Sequence, residues 1–171
     1  TWNNLYEKVC KFSNYLKKLR LKKGDRVAAY VPNKIENIIC FLACAKNGII
    51  WSSCSPDFGV QGVVDRFKQI EPKVLITCDY YFYNGKKINI LDKVDDVTKQ
   101  IPSIKKVIVY NYNKKEKENL KNFVDFEETL NIKSDESFER FEFNHPIYIL
   151  YSSGTTGKPK CITHGTGNVL I

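Results

Sequence analysis

Methionine is absent from all 171 residues, histidine and tryptophan occur only twice each, and of 27 basic residues only Arg20, Arg26, Arg66 and Arg140 are arginine. Each scarcity excludes something. A chain that opens at Thr1 without Met, and whose last residues, GNVLI, read as the start of a helix, is expected to be a piece of a longer polypeptide. Few arginines leave few forked donors for reading base edges. Lysine clusters such as NKKEKENLK alternate with acids and asparagine, as solvated surfaces do, so despite a formal charge of +8 no nucleic-acid partner is expected.

No run approaches the ~18 apolar residues of a membrane-spanning helix, and the opening residues lack the basic head and apolar middle of a secretory signal. There is no Asn-x-Ser/Thr sequon and no Cys-x-x-Cys. Five of the six cysteines, Cys10, Cys40, Cys44, Cys54 and Cys78, sit in apolar stretches, which predicts buried thiols rather than disulfides. Cys40 and Cys44 are four apart on an expected helix, but neither His145 nor His164 offers a matching spacing, so no metal site is expected. Together these readings predict a cytoplasmic protein without a membrane partner.

A composition of 43% hydrophobic and 27% charged residues suits one globular domain with a real core. Trp2, Leu5, Val9, Phe12, Leu16 and Leu19 recur at helical spacing, with Thr1 as N-cap and an end near KKGD. RVAAYV predicts a buried strand, and KIENIICFLACAKNG a helix, apolar along most of its length, that closes at Gly48 and lies between the sheet and another layer. IIWSSCS, KVLITC, KKVIVYNY and HPIYILYS predict further strands, and VQGVVDRFKQI and ILDKVDDVTKQI further helices. The Asn-Gly pair in YYFYNGKKINI predicts a small hairpin. Strands alternating with helices indicate an α/β fold, layered, with a mostly parallel sheet flanked by helices and loops at the strand ends able to hold a ligand. Residues 111–146 read as a surface excursion without assigned function.

The string YSSGTTGKPK, directly after an apolar strand, concentrates groups that suit an anion. Gly154 and Gly157 let the backbone turn with its amides inward, Ser152, Ser153, Thr155 and Thr156 add hydroxyl donors, and Lys158 and Lys160 add positive charge. Pro159 restricts the exit. A Walker A loop is excluded because Pro159 stands where the second glycine belongs, and GTGNVL at 165–170 matches only two glycines of a dinucleotide fingerprint. Composition alone leaves a phosphate cradle and an ordinary polar surface loop both open.

YSSGTTGKPK closely resembles the phosphate-binding loop of the adenylate-forming superfamily, which includes acyl-CoA synthetases, luciferases and peptide-synthetase adenylation domains. TWNNLYEKV, GDRVAAYVPN, AKNGIIWSSCSPDFGVQGVVDRFKQIEPKVLI and YNGK extend the likeness to the short-chain acyl-CoA synthetase branch. WSSCSPDFG, DRFKQIEPKVL and HPIYILYSSGTTG followed by THG are more similar to its acetoacetate-activating members than to those that take acetate or propionate. Cys161 departs from the small residue usual in relatives, and YFYNGK lacks the arginine that acetyl-type relatives carry nearby.

The resemblance implies that residues 1–171 are part of a large N-terminal AMP-binding domain, ending just after the loop, with the C-terminal domain and its catalytic lysine elsewhere in the enzyme. It implies ATP, Mg2+ and CoA, and a two-step ligase that converts acetoacetate to acetoacetyl-AMP and then acetoacetyl-CoA. The alternatives are another acyl-CoA synthetase and a non-catalytic nucleotide-binding relative. By motif position Ser152, Ser153, Gly154, Thr155, Thr156, Gly157 and Lys160 contact the nucleotide phosphates, and Lys158 faces solvent. His164 is read as positioning the strand-to-helix turn, and Lys86 as a solvated lysine with only a loose analogy to a CoA phosphate contact. The piece alone is expected to be inactive and to expose apolar surface.

Overall fold

A computed structural model describes residues 1–113, 123–153 and 157–171. Helix α1 (Trp2–Lys18) opens on Thr1, whose hydroxyl accepts the Asn4 N–H at 3.3 Å, and buries Val9, Cys10, Phe12 and Leu16. It ends before the KKGD turn. Leu21 N–H bonds the Leu16 carbonyl and Arg20 N–H the Lys17 carbonyl, with Arg20 at φ 59°, the paired bonds of a Schellman stop. Trp2, expected on the buried face, is 84% exposed.

The alternating pattern continues as β1 (Arg26–Tyr30), α2 (Ile35–Lys46), β2 (Ile50–Cys54), α3 (Val60–Ile70) and β3 (Val74–Cys78). Gly48, at φ 63°, closes the α2 end as expected. A hairpin follows, β4 (Tyr80–Tyr83) and β5 (Lys86–Asn89), whose turn residues Asn84 and Gly85 both have positive φ, the geometry that matches strand twist. Then come α4 (Leu91–Gln100), β6 (Lys106–Tyr110), the short β7 (Val124–Asp125), α5 (Phe126–Thr129), β8 (Pro146–Ser152), β9 (Lys160–Gly165) and α6 (Thr166–Leu170).

One seven-stranded sheet runs in the order β7-β6-β3-β1-β2-β8-β9, parallel throughout except for β9 against β8. From β1 the chain steps one way to β2, then back across β1 to β3 and on to β6. Right-handed crossovers therefore place α2 on one face and α3 and α4 on the other, in agreement with the packing of α1 on α2 and of α3 on α4. The central strands are buried on both faces, which is why RVAAY and VLITC carry almost no polar residues.

The structure also departs from expectation at the edge of the sheet. Residues 160–165 form an antiparallel edge strand, where the sequence suggested only the exit of a loop. Helix α2 lies between the sheet and α1, as expected, yet among the described residues it leaves Ile35, Ile38 and Leu42 exposed. The 131–145 segment crosses the α1–α2 face, held by a Lys17–Asp135 ion pair at 2.8 Å and by Lys46 donating to the Ser137 carbonyl.

Candidate functional site

Strands β1, β2 and β8 all end at the same edge of the sheet, the edge at which open α/β folds hold ligands. The 153–159 loop leaves β8 there and returns as β9, with Ser152 directly opposite Lys160 and Tyr151 opposite Cys161. Side chains alternate between faces along each strand. Tyr148, Leu150 and Ser152 therefore share the α2 face with His164, Ile162 and Lys160, while Tyr151 and Cys161 share the α3 face.

The α3 face is built up densely. The Ser52 hydroxyl donates to the Ile149 carbonyl at 2.8 Å and lies 3.1 Å from the Tyr151 hydroxyl. The Arg66 guanidinium lies 4.1 Å over the Phe58 ring and 5.8 Å from the Tyr151 ring. Gln69, one turn further along α3, donates through Nε2 to the Pro159 carbonyl at 2.9 Å, and its Oε1 accepts the Cys161 thiol at 3.6 Å. The neighbouring turn of the β2–α3 connection is tied down by the Tyr30 hydroxyl, 3.0 Å from the Pro56 carbonyl and 2.5 Å from that of Phe58.

Burial pushes the Tyr151 phenol above its ordinary value, and raises the Cys54 thiol to about 12 against the opposing charge of Arg66. The Cys161 thiol is also raised by burial. These groups stay protonated at neutral pH and act here as packing and hydrogen-bonding elements.

The α2 face beside the loop is open. Asn37, Ile38, Phe41, Trp51, Ser53, Tyr148 and Leu150 line a shallow cavity of about 240 Å³. Leu150 and Ile162 are 46% and 44% exposed. A parallel sheet is normally covered on both faces, so this surface is incomplete among the described residues. A larger cavity of about 460 Å³, between α1, α2 and Phe138, lies away from the loop.

Of the expected phosphate contacts, Ser152 closes β8, Ser153 is exposed beyond it, Gly157 has φ 135° with no atom of the described residues within 4 Å of where a Cβ would stand, and Lys160 opens β9, exposed. Gly154, Thr155 and Thr156 lie outside the described residues. Lys158 is exposed, His164 packs its ring on Tyr148 with centroids 4.9 Å apart, and Lys86 stands exposed on β5. Among the described residues no three His, Cys, Asp or Glu side chains come together as metal ligands, and no helix is long and apolar enough to cross a membrane. Five cysteines are free and buried, and Cys161 is exposed. Sequence reasoning missed Arg66 and Gln69, because a polar residue on the solvent side of an amphipathic helix carries no local sign of a partner 90 residues away.

A layered α/β fold with a glycine- and hydroxyl-rich hairpin at the carboxyl edge of its sheet defines a class, and the comparisons agree. The whole chain, residues 1–171, matches the family described as AMP-binding enzyme, and it belongs to that family. Its relatives are more particular. Acetoacetyl-CoA synthetase of Xenopus tropicalis is 44% identical over 181 residues, and acetoacetyl-coenzyme A synthetase of Rhizobium meliloti is 44% identical over 175. Each alignment covers 100% of this chain and 27% of the relative. The solved acetoacetyl-CoA synthetase of Streptomyces lividans matches with a TM-score of 0.94 at 38% identity, over 99% of this chain and 26% of that one. The chain thus spans about a quarter of the length of the relatives it matches.

Proposed function

We propose that this chain is the part of an acid–thiol ligase's N-terminal AMP-binding domain that carries the triphosphate-gripping hairpin, and that the whole enzyme activates acetoacetate. One observation carries the reading: the SSGTTGKPK loop joins two paired strands at the carboxyl edge of the sheet, with Ser152 and Lys160 facing each other at its base. The family membership and the names of the relatives support it.

In the first step an acetoacetate oxygen attacks the α-phosphorus of ATP, a P–O bond breaks, and pyrophosphate leaves with the electron pair. In the second the CoA sulfur attacks the acyl carbon, its proton passes to solvent, and AMP departs. In the first step negative charge gathers on the departing diphosphate. Amides and hydroxyls of Ser152, Ser153, Gly154, Thr155, Thr156 and Gly157, with the Lys160 ammonium, stabilise that charge and hold the phosphates in line. With no side chain of its own and no atom of the described residues within 4 Å of a Cβ position, Gly157 leaves the guest room to approach the backbone closely.

Magnesium would enter with the nucleotide, because the described residues offer no ligand cluster for it. Groups for adenine, for CoA and for the catalytic lysine belong to the remaining length of the enzyme, and the open α2 face beside the loop is where that remainder would pack. A cytoplasmic setting accords with the free, buried cysteines.

The test is isotope exchange between pyrophosphate and ATP in the complete enzyme. Exchange that depends on acetoacetate, and far less on acetate or propionate, is the expected result. Exchange driven by another acid reassigns the substrate, and none with any acid rejects the ligase.

A further inference from the structure

Strand β9 is the outermost strand of the sheet, paired on one side only, and residues 160–163 are all exposed. An edge strand is fixed by one ladder and by whatever packs on its faces, and is less constrained than a central strand. Yet β9 carries Lys160, whose ammonium must stand at one place relative to Ser152 if it is to meet a phosphate. Its other face therefore needs a fixed support.

We infer that Gln69 is the positioning residue that supplies this support, clamping the outgoing leg of the loop from the α3 side. The inference rests on the ligase reading above and adds a residue to it. The carboxamide is used completely. One Nε2 proton goes to the Pro159 carbonyl at 2.9 Å, the other to the Asp65 carbonyl of its own helix at 2.7 Å, and Oε1 takes the Cys161 thiol at 3.6 Å. The two groups it grips, the Pro159 carbonyl and the Cys161 side chain, flank Lys160 in sequence. Cys161 points toward α3, so alternation sends Lys160 to the opposite face, beside Ser152.

Holding the back of the strand thus fixes the height and tilt of the lysine at its front. Proline lacks an N–H to donate to the ladder, the β8–β9 register ends at Ser152 and Lys160, and the Pro159 carbonyl just beyond it accepts the Gln69 side chain. The helix bearing Gln69 is itself anchored by Val63, Val64, Phe67 and Ile70 in the core, so the clamp has a rigid base.

The role predicts a selective defect. In the complete enzyme Gln69→Ala should raise KM for ATP about five- to tenfold, the scale of one neutral hydrogen bond, with KM for acetoacetate and CoA unchanged within about twofold. Gln69→Glu, which keeps the shape and the acceptor but when ionised cannot donate to Pro159, should show the same rise. Amide hydrogen exchange at 157–163 should quicken in both variants without nucleotide.

An unchanged KM for ATP in an active enzyme overturns the role, as does a rise confined to Gln69→Glu, which would report charge rather than position. Equal losses toward all three substrates would show general destabilisation and overturn it too. A wild-type enzyme without acid-dependent pyrophosphate exchange would sink the ligase reading alone. The clamp then stands or falls on hydrogen exchange at 157–163, and unaltered exchange in Gln69→Ala overturns it.

Discussion

Ser152 and Lys160 face each other across the β8–β9 ladder, so the ends of the 153–159 loop are joined by a cross-strand pair. Directly opposed residues have Cβ atoms about 5 Å apart, close enough for a hydroxyl and an ammonium to address the same phosphate. Position in the ladder adds to motif position in distinguishing Lys160 from its neighbour Lys158.

Lys160→Ala in the complete enzyme should therefore lower kcat/KM for ATP by on the order of ten- to a hundredfold, the range of a lost charged hydrogen bond. Lys158→Ala should change it by less than about twofold. Initial rates of acid-dependent pyrophosphate exchange measure both, and equal effects would deny the pairing any role.

Gly157 combines φ 135° with no atom of the described residues within 4 Å of the missing side chain. Alanine there meets no atom of the described residues but resists that backbone conformation, at a cost of about 1–2 kcal/mol. Because Gly157 is exposed and outside the core, Gly157→Ala should raise KM for ATP while shifting the thermal midpoint by no more than a few degrees. A large fall in midpoint with ATP binding intact would contradict this.

Acid sensitivity should trace in part to Asp25. Burial alone would raise its carboxyl, but the Lys22 N–H and the Lys73 ammonium, each at 2.8 Å, outweigh burial and hold it below its ordinary value. A depressed folded value means the stabilisation is fully present above about pH 4 and disappears as pH falls through the folded value. Asp25→Asn should cost about 1 kcal/mol at pH 7, with the difference from wild type narrowing toward pH ~2. Urea titrations across that range would reveal it.

Asp79 should behave in the opposite sense. It is fully buried; Oδ1 accepts the N–H groups of Tyr80 and Tyr112 at 2.7 and 2.8 Å, while Oδ2 has no hydrogen-bond partner among the described residues. Burial raises its carboxyl against those two donors. A raised folded value means that stability falls as pH rises through it and is level beyond. Asp79→Asn keeps the acceptor and removes the charge, so stability at pH 7 should hold or increase. Asp79→Ala strands two N–H groups and should cost about 2 kcal/mol or more. Thermal midpoints of the three proteins decide, and an Asn variant weaker than the Ala variant would refute the account.

Much of the fold was legible because its signals are local. Thr1 as a cap, Gly48 as a helix stop, Asn84-Gly85 as a turn and the apolar runs of β1 and β3 each depend on a few adjacent residues. The edge strand β9 was not, because an exposed strand beside a polar loop, reading KCITHG, needs no strict alternation to pair. Trp2 misled, since helical spacing identifies a face but not what covers it.

The sequence by itself determined the class of fold, the family resemblance and the hydroxyl- and glycine-rich make-up of the loop, because those reside in residue types at short spacings. The order of strands, the opposition of Ser152 to Lys160 and the reach of Gln69 to Pro159 were decided only in three dimensions. The physical reason is that β8 and β9 lie some 90 residues from α3 along the chain, and only the packing of the helices on the sheet brings them to within a hydrogen bond.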